Sequence, residues 1–291
     1  MKSDIESAII IDDDDNNDNN DNNDNNDKND KNINKNINDN EDEEEFIIYP
    51  KKYKSKPKAI SEKKCLNKYF KEDLNIYEIG VDEAGRGPLF GRVYTGAVIL
   101  PKDDSFDHTK MKDSKKFTSK KKIEEVAEYI KENAIAWYVS YEDEKVIDDI
   151  NILQATQKAM HTSILETRKQ LINKMKENNK LDYNIHLLID GNYFNQISML
   201  NKKTNKIENI PYNTIEGGDN KYSSIAAASI LAKVYRDKYI EELCQQNTYL
   251  SEKYGIDSNK GYGAKKHIEG IKQHGITIWH RRTFGICKNY V

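Results

Sequence analysis

The sequence predicts an α/β fold, in which a mixed sheet is flanked by helices and followed by a helical C-terminal region. Two segments rich in β-forming residues, 76–81 and 92–100, are joined by a turn crowded with glycine, which is typical of an antiparallel pair. After this pair, strand-like and helix-like segments alternate, which is typical of parallel strands connected by helices. The two kinds of pairing together make the sheet mixed.

Each element is predicted from its local pattern. Residues 76–81 alternate in polarity, and short apolar runs rich in β-formers mark the later strands. Thr118 or Ser119 can cap the first helix. The helix that begins at Ser223 opens with small side chains, which permit close packing against a sheet. The predicted strands are 76–81, 92–100, 134–140 and 185–189, the predicted helices are 118–133, 152–178, 223–246 and 264–274, and the segments 191–214 (with a small hairpin) and 247–265 are predicted as connections.

The charge distribution divides the chain into an acidic tail and a basic body. Residues 1–45 hold 17 acidic residues and four lysines, a net charge of −13, so the rest carries +10 within a total of −3. Residues 12–45 are dominated by Asn and acids, cannot form a core, and are predicted to be disordered. The lysine-rich segment 51–71 is predicted as a linker, with nuclear localisation or phosphate contact as alternatives. We therefore expect a tail and linker at 1–71 and one folded domain at 72–291.

Composition excludes several classes of protein. No run of 18 apolar residues is present, so no membrane-spanning helix is predicted. The apolar patch 8–11 is flanked by acids, which fits neither a signal peptide nor a transit peptide. Cys65, Cys244 and Cys287 are far apart, so we expect neither a disulfide framework nor a cysteine zinc site, in keeping with a reducing compartment. An intracellular protein, cytoplasmic or nuclear, is expected, and an organelle stays open.

Four acidic residues stand at predicted strand ends or helix starts. Asp82 and Glu83 follow the first strand, Asp190 ends the strand HLLID, and Asp219 precedes the small-residue helix. Ligand sites of α/β sheets lie at such ends, and carboxylates that converge there need hard cations between them, for which Mg²⁺ or Mn²⁺ is suited. Each acid taken singly also fits a structural role, as a turn residue or, for Asp219, as a helix cap.

The glycine-rich turn 85–91 offers exposed backbone beside the first acid pair. Its spacing, G-x-G-x-x-x-G with Pro88 where a helix should begin, does not fit a dinucleotide fingerprint, and no GxxxxGK[ST] motif is present. Such a turn can approach a nucleic-acid strand closely, with Arg86 projecting from it. Farther along, Tyr262 lies between two glycines in a basic segment and can stack on a sugar or base, although a structural tyrosine fits equally well.

Seven sequence blocks carry a family resemblance between residues 76 and 287. They are GVDEAGRGPLFGRV (80–93), DSKKFTSKKK (113–122), INILQATQKAM (150–160), LLIDGN (187–192), GGDNKYSSIAAASILAKVYRD (217–237), NKGYGAKKH (259–267) and HGITIWHRRTF (274–284). In these blocks, and in their order, the chain resembles the type 2 ribonucleases H, specifically bacterial-type ribonuclease HII. It departs from the family pattern at Phe90-Gly91-Arg92, where Ala-Gly-Pro is frequent, and in a longer connection between Asp190 and Asp219.

The resemblance implies a ribonuclease H-like fold and catalysis by four carboxylates that bind two divalent ions, Mg²⁺ or Mn²⁺. The implied catalytic residues and metal ligands are Asp82, Glu83, Asp190 and Asp219. The family's glycine–arginine–glycine strand reader falls on Gly85, Arg86 and Gly87, and its ribose-junction tyrosine falls on Tyr262. Lys233, the one cation in the stretch AAASILAKV, is expected either near the scissile phosphate or as a structural lysine whose stem packs on apolar surface.

The resemblance further implies an endonuclease, acting as a monomer away from membranes. It would cut the RNA strand of RNA/DNA hybrids, and also DNA on the 5′ side of single embedded ribonucleotides, leaving 5′-phosphate and 3′-hydroxyl ends. Removal of misincorporated ribonucleotides and of RNA primers is the implied role. One alternative is a noncatalytic nucleic-acid-binding protein on the same fold, against which the four intact acids argue. Another is a dinucleotide-dependent oxidoreductase, which rests only on the glycine turn.

Deleting residues 1–45 is expected to tighten nucleic-acid binding and to leave the fold and the catalytic rate unchanged. Removal of −13 of charge leaves a body of +10, whose attraction for phosphates becomes stronger and more sensitive to salt. Binding titrations over a salt series measure both effects. Unchanged binding would mean that the Asn/Asp repeats have no role here, and weaker binding or unfolding would mean that the tail recruits the partner or supports the fold.

Overall fold

The computed structural model describes residues 65–178, 183–201 and 205–291. The predicted acidic tail and most of the predicted lysine-rich linker lie outside these described residues. Within them, no helix is both long and apolar enough to cross a membrane.

A five-stranded sheet with the order β3-β2-β1-β4-β7 organises the body. β1 (Ile76–Ala84) pairs antiparallel with β2 (Val93–Ile99), and β2 pairs antiparallel with β3 (Ala136–Glu142). On its other side, β1 pairs in parallel with β4 (Asn184–Asp190), which pairs in parallel with β7 (Tyr212–Ile215). The predicted mixed sheet is confirmed, and the carboxyl ends of β1, β4 and β7 lie at one edge of it.

Helices cover both faces of this sheet, as the alternating pattern predicts. α2 (Glu144–Glu177) packs on one face, against a core that includes Ile79 and Ile189. α1 (Lys120–Asn133) and α3 (Ser223–Gln246) pack on the other face. The burial of these apolar side chains is the main stabilising contribution to the domain, and it fixes the sheet edge on which the acids stand.

Two glycines let α3 lie unusually close to the sheet. A Cβ on Gly80 would lie 2.2 Å from the carbonyl carbon of Ser224, and a Cβ on Gly96 would lie 2.4 Å from the carbonyl oxygen of Ala228. No larger residue fits at either position without moving the helix. This close approach bears out the reading of the small residues at the start of α3, and it brings Ser229 to the end of β1.

The C-terminal region is more helical than the sequence predicted. Residues 247–265, expected as a connection, contain α4 (Tyr249–Tyr254) and α5 (Ile256–Asn259) before α6 (Lys265–His274). Both helices are short, and their formation depends on packing against α3 and α6 rather than on a long periodic pattern. The chain ends in a 3-10 turn at Gly285–Tyr290.

Two other expectations need correction, because local contacts shift the element boundaries. α2 begins eight residues before the predicted start, since Asp143 Oδ1 accepts the amide of Val146 at 3.0 Å and caps an earlier turn. A break at Asn151, with φ +65°, separates that turn from the predicted helix. Asn67 and Phe70 lie in the predicted linker, yet Asn67 donates to Lys221 O at 2.9 Å, so folded structure begins upstream of residue 72.

The long connection after β4 is partly ordered as a hairpin. β5 (Ser198–Asn201) and β6 (Lys206–Asn209) pair antiparallel in a sheet of their own, which confirms the predicted hairpin. The connection also contains β7, the fifth strand of the main sheet, which the sequence did not predict. Its four residues are too few to show a strand pattern.

Candidate active site

The parallel pairing of β1 with β4 brings two of the predicted acids together. In the register, the residue before Asp82 lies opposite the residue before Asp190, so the two acids are neighbours at the sheet edge. Glu83 comes next on β1, and its Oε1 lies 3.3 Å from Nη1 of Arg86. Asp82 is only 5% exposed. A buried carboxylate beside a second one is a costly arrangement unless a cation compensates it.

The pairing of β4 with β7 adds the fourth acid. Asp190 lies opposite Ile215, after which the chain turns through the 3-10 residues Gly218–Asn220 that contain Asp219. The amide of Gly218 donates to Asp190 Oδ1 at 2.6 Å, which ties this turn to the end of β4. The predicted acids therefore come from the ends of three neighbouring strands, and Asp219 belongs to the group despite the long connection.

Burial and repulsion from neighbouring acids raise the pKa of three carboxyls of the group, those of Asp82, Glu83 and Asp219. Burial raises the pKa of Asp82 well above its ordinary value, and the charges of Glu83 and Asp190 raise it further. Burial also raises the pKa of Glu83. The pKa of Asp219 is raised first by burial and then by Asp113 and Asp190. The site is thus short of positive charge, which is the electrostatic condition that favours cation binding.

The block DSKKFTSKKK contributes residues to which the sequence assigned no role. The side-chain Nδ2 of Asn220 donates to Asp219 Oδ1 at 3.0 Å and to Asp113 Oδ2 at 3.3 Å, so Asp113 borders the site. On the other side, a hydrogen bond from Ser229 on α3 lowers the pKa of Asp82, against the larger effect of its burial. The family block DSKKFTSKKK was the available indication that Asp113 belongs near the site. The strand patterns of the sequence could not place a loop residue beside the acids.

The donor set suits hard divalent cations, because all four predicted ligands present oxygen. As the side chains stand, no three His, Cys, Asp or Glu residues among the described residues have metal-binding geometry. Asp82 Oδ1 accepts the amide of Glu83 at 2.7 Å, and Asp190 Oδ1 accepts that of Gly218. Ion binding requires these side chains to approach one another, and the backbone hydrogen bonds need not break, because each occupies only one oxygen of its carboxylate. A shared cation would also relieve their repulsion.

The predicted strand reader and the predicted tyrosine lie against each other. A Cβ on Gly87 would lie 3.6 Å from Cε1 of Tyr262, whose side chain is 51% exposed. The guanidinium of Arg236 lies 5.7 Å from the centre of the same ring. Gly85 has φ +95°, and a Cβ there would lie 2.3 Å from Nε of Arg236, so glycine is required. Open backbone beside an open ring is suited to a stacked sugar or base.

Lys233 makes its ion pair along α3. Its ammonium donates to Asp237 Oδ2 at 2.8 Å, one helical turn onward. No contact joins it to the four acids within the described part of the chain. This ion pair fits the structural alternative for Lys233, and the expected contact with the scissile phosphate stays a prediction.

A buried pair of histidines supports the backbone of Tyr262. The amide of Thr277 donates to His280 Nδ1 at 2.9 Å, so the other ring nitrogen of His280 carries the proton and donates to His267 Nε2 at 3.1 Å. His267 Nδ1 then donates to the carbonyl of Tyr262 at 2.8 Å. Burial lowers the pKa of His267, and burial and then His267 lower the pKa of His280 to about 3, so both rings are neutral near pH 7.

Acidification is expected to destabilise the fold through these rings. An unfolded histidine takes up a proton near pH 6.5 while folded His280 does not, so the unfolded state binds more protons between about pH 3 and 6.5. The free energy of unfolding then falls as the pH falls through that window. Urea unfolding from pH 4.5 to 7 should show a slope smaller by up to about 1.4 kcal/mol per pH unit in His280→Gln than in the unsubstituted protein. Equal slopes would contradict the assignment of a neutral His280.

Comparisons of the sequence and of the structure with known proteins agree with one another. A family model described as Ribonuclease HII matches residues 79–287. Ribonuclease HII of Bacteroides thetaiotaomicron is 43% identical over 220 residues, covering 75% of this chain and 93% of that protein. Ribonuclease HII of Phocaeicola vulgatus is 42% identical over 220 residues, covering 75% and 92%. The crystal structure of Bst-RNase HIII in complex with Mn²⁺ has a similar fold, with a TM-score of 0.50 and 19% identity over 74% of this chain and 69% of that one.

Proposed function

Because the chain belongs to the ribonuclease HII family, we propose that it cuts duplex DNA at single embedded ribonucleotides in addition to RNA/DNA hybrids. The general activity follows from the family. The chain is a ribonuclease H, an endonuclease that degrades the RNA of RNA/DNA hybrids and depends on divalent metal ions. We further infer that it acts as a monomer inside the cell, on misincorporated ribonucleotides and RNA primers.

One observation supports the proposed cleavage at single embedded ribonucleotides. The acids at the ends of β1, β4 and β7 share an edge with the glycine turn, and that turn lies against Tyr262. A site for phosphodiester hydrolysis and a surface suited to one ribose are therefore contiguous. An enzyme that recognised only long hybrids would not need an exposed ring next to the cut.

Asp82, Glu83, Asp190 and Asp219 would hold two divalent ions, Mg²⁺ or Mn²⁺. The ions would supply Lewis acidity to the scissile phosphate and activate a water. The chain's own contribution is to hold the ligands in place: the amide of Gly218 bonds Asp190, and Asn220 bonds Asp219. Hydrolysis would leave a 5′-phosphate and a 3′-hydroxyl.

The glycine turn and Tyr262 would read the junction between RNA and DNA. The 2′-hydroxyl is the group that tells RNA from DNA at one position, and it can both donate and accept. Exposed amides at Arg86 and Gly87 lie within the chain segment that follows Asp82 and Glu83. The Tyr262 ring can stack on the sugar of the next nucleotide, where a deoxyribose presents no 2′-oxygen to the ring.

The test uses the purified full chain and two labelled duplexes, one with a single embedded ribonucleotide and one a continuous RNA/DNA hybrid. Each is incubated with Mg²⁺, with Mn²⁺ or with a chelator, and the ends are mapped. We expect metal-dependent cleavage of both, with the single-ribonucleotide duplex cut on its 5′ side. Cleavage of the hybrid alone would refute the junction proposal, and binding without any cleavage would favour the noncatalytic alternative.

A further inference from the structure

Arg281 is completely buried, and its guanidinium is surrounded by carbonyl groups of the glycine turn. Nε donates to the carbonyl of Gly91 at 2.8 Å, and Nη2 donates to that of Gly85 at 2.6 Å. Nη1 donates to the carbonyls of Arg86 at 2.8 Å and Pro88 at 2.9 Å. Four peptide groups of one turn thus converge on a single side chain from the other end of the folded domain.

This charge is buried without an acidic partner. Among the described residues no carboxylate forms an ion pair with Arg281, and its cationic charge faces carbonyl dipoles and the ring of Phe284, 5.1 Å away. Burial and then the charge of Arg236 lower the pKa of Arg281 to about 9, so it stays protonated at neutral pH. A buried charge of this kind costs stability unless its hydrogen bonds have favourable geometry. Here all the side-chain hydrogen bonds described above are made to carbonyls of the glycine turn.

The geometry of the peptide unit shows in which direction the amides that follow these carbonyls point. In a trans peptide the carbonyl and the following amide point in opposite directions. The carbonyl of Pro88 faces Arg281, and the next amide, that of Leu89, donates away from it to the carbonyl of Gly261 at 2.9 Å. The same geometry applies to the carbonyls of Gly85 and Arg86, so the amides that follow them point away from the guanidinium.

Those two amides belong to Arg86 and Gly87, and neither has an acceptor within the described residues. Backbone donors without a protein partner are available to water or to a ligand. Gly87 also faces the ring of Tyr262, so the two amides lie beside the surface that would contact the ribose. Two neighbouring donors without a protein partner at this place are suited to the oxygen of a 2′-hydroxyl.

We propose that Arg281 is a positioning residue for ribose recognition. By drawing the carbonyls of Gly85 and Arg86 onto its guanidinium, it aims the amides of Arg86 and Gly87 at the 2′-hydroxyl. The inference rests on the proposed function, because it assumes that the turn reads this group, and it deepens that function by naming the residue that sets the reading geometry. Arg281 itself touches neither the substrate nor the acids.

The test measures discrimination in binding, so that catalysis does not enter. In an Asp82→Asn background, affinities are measured by fluorescence anisotropy for a duplex with one embedded ribonucleotide and for the same duplex in DNA. Arg281→Lys keeps the charge but loses the forked donors, and it should reduce the ratio of the two affinities roughly tenfold or more, with little change for DNA alone. A ratio equal to that of the background protein would overturn the proposal.

Arg282→Lys is the matched control, since it makes the same chemical change at the exposed neighbouring residue. It should leave the ratio unchanged, and a loss of discrimination equal to that of Arg281→Lys would overturn the proposal. Failure of the proposed junction reading and failure of the proposed role of Arg281 give different results. If the background protein itself shows no preference for the ribonucleotide, the proposed junction reading fails. If it shows the preference and Arg281→Lys keeps it, only the role of Arg281 fails.

Amide hydrogen exchange provides a second measurement, which tests the predicted direction of the Arg86 and Gly87 amides even if Arg281→Lys does not fold. In the Asp82→Asn protein, the amides of Arg86 and Gly87 should exchange quickly when free and become protected only by the ribonucleotide duplex. The amide of Leu89, already bonded to Gly261, should be protected throughout. Protection of Arg86 and Gly87 in the free protein, or equal protection by both duplexes, would overturn the proposal.

Discussion

Replacing Asp82 by asparagine is expected to abolish cleavage, by at least roughly 10³-fold, while hybrid binding stays largely intact. Asp82 stands where β1, β4 and α3 meet, and an amide side chain could not supply the charge that the proposed divalent ion would require there. We expect affinity for the duplex to come mainly from phosphate contacts of the basic body, which this change does not touch. Single-turnover cleavage and binding titrations on the same preparation separate the two effects.

The same substitution is expected to stabilise the metal-free protein. The folded-state pKa of Asp82 is raised, so the folded state binds more protons than the unfolded state between the ordinary and the raised value. Stability of the unsubstituted protein therefore falls as the pH rises through that window, and Asp82→Asn removes the loss. The melting temperature should rise by about 2–4 °C for each kcal/mol of repulsion relieved.

Asp257→Asn provides the control, because Asp257 is an exposed acid on α5 outside the acid group. It should change neither cleavage nor the melting temperature. Added Mg²⁺ should raise the melting temperature of the unsubstituted protein and have little effect on Asp82→Asn. Retained Mg²⁺-dependent cleavage in purified Asp82→Asn would remove this residue from the metal site.

Replacing Tyr262 by alanine is expected to remove most cleavage of a duplex with one embedded ribonucleotide and much less on a long hybrid. The ring is half exposed beside Gly87, and stacking of this kind contributes about 1–3 kcal/mol, or roughly 10- to 100-fold. A long hybrid offers many positions at which no junction has to be read. Single-turnover rates on the two duplexes give the comparison directly.

Two variants control for this change. Tyr262→Phe keeps the ring and should keep most of the junction activity. Tyr249→Ala removes another exposed tyrosine, 36% exposed on α4, and should affect both duplexes alike. Equal losses on the two duplexes in Tyr262→Ala would make Tyr262 a packing residue and leave junction selection to another part of the chain.

The strands that carry the acids were predictable because their pattern is local. The runs before Asp82 and Asp190 each show strand composition, without reference to any other part of the chain. The predicted end of the first strand was wrong, because β1 continues through Asp82 and Glu83 to Ala84, where it still pairs with β2. The adjacency of the two strands was not local information. It depends on the parallel register of β1 with β4, which composition does not specify and which the family resemblance supplied as an expectation.

The parts that sequence patterns missed depend on distant contacts. β7 is four residues long, and it is a strand because the end of β4 offers hydrogen-bond partners. In the sequence Arg281 is one of two adjacent arginines, and no local pattern distinguishes it. The carbonyls that it binds lie near residue 88, and only the fold brings them to it. Asp113 sits in a loop whose place beside Asp219 is set by the side chain of Asn220.

The hairpin between β4 and β7 has a consequence for protein engineering. The amide of Gly191 donates to the carbonyl of Ile215 at 3.1 Å, so the two ends of the connection are already joined at the base. Residues inserted between Asn201 and Asn205 would then lengthen only a loop whose base is closed, and they would not change the distance between Asp190 and Asp219. Each doubling of such a loop costs only about 0.6 kcal/mol of closure entropy. This hairpin is thus a permissive place for an affinity tag or a fluorescent reporter, which could be carried by the active enzyme without disturbing its carboxylates.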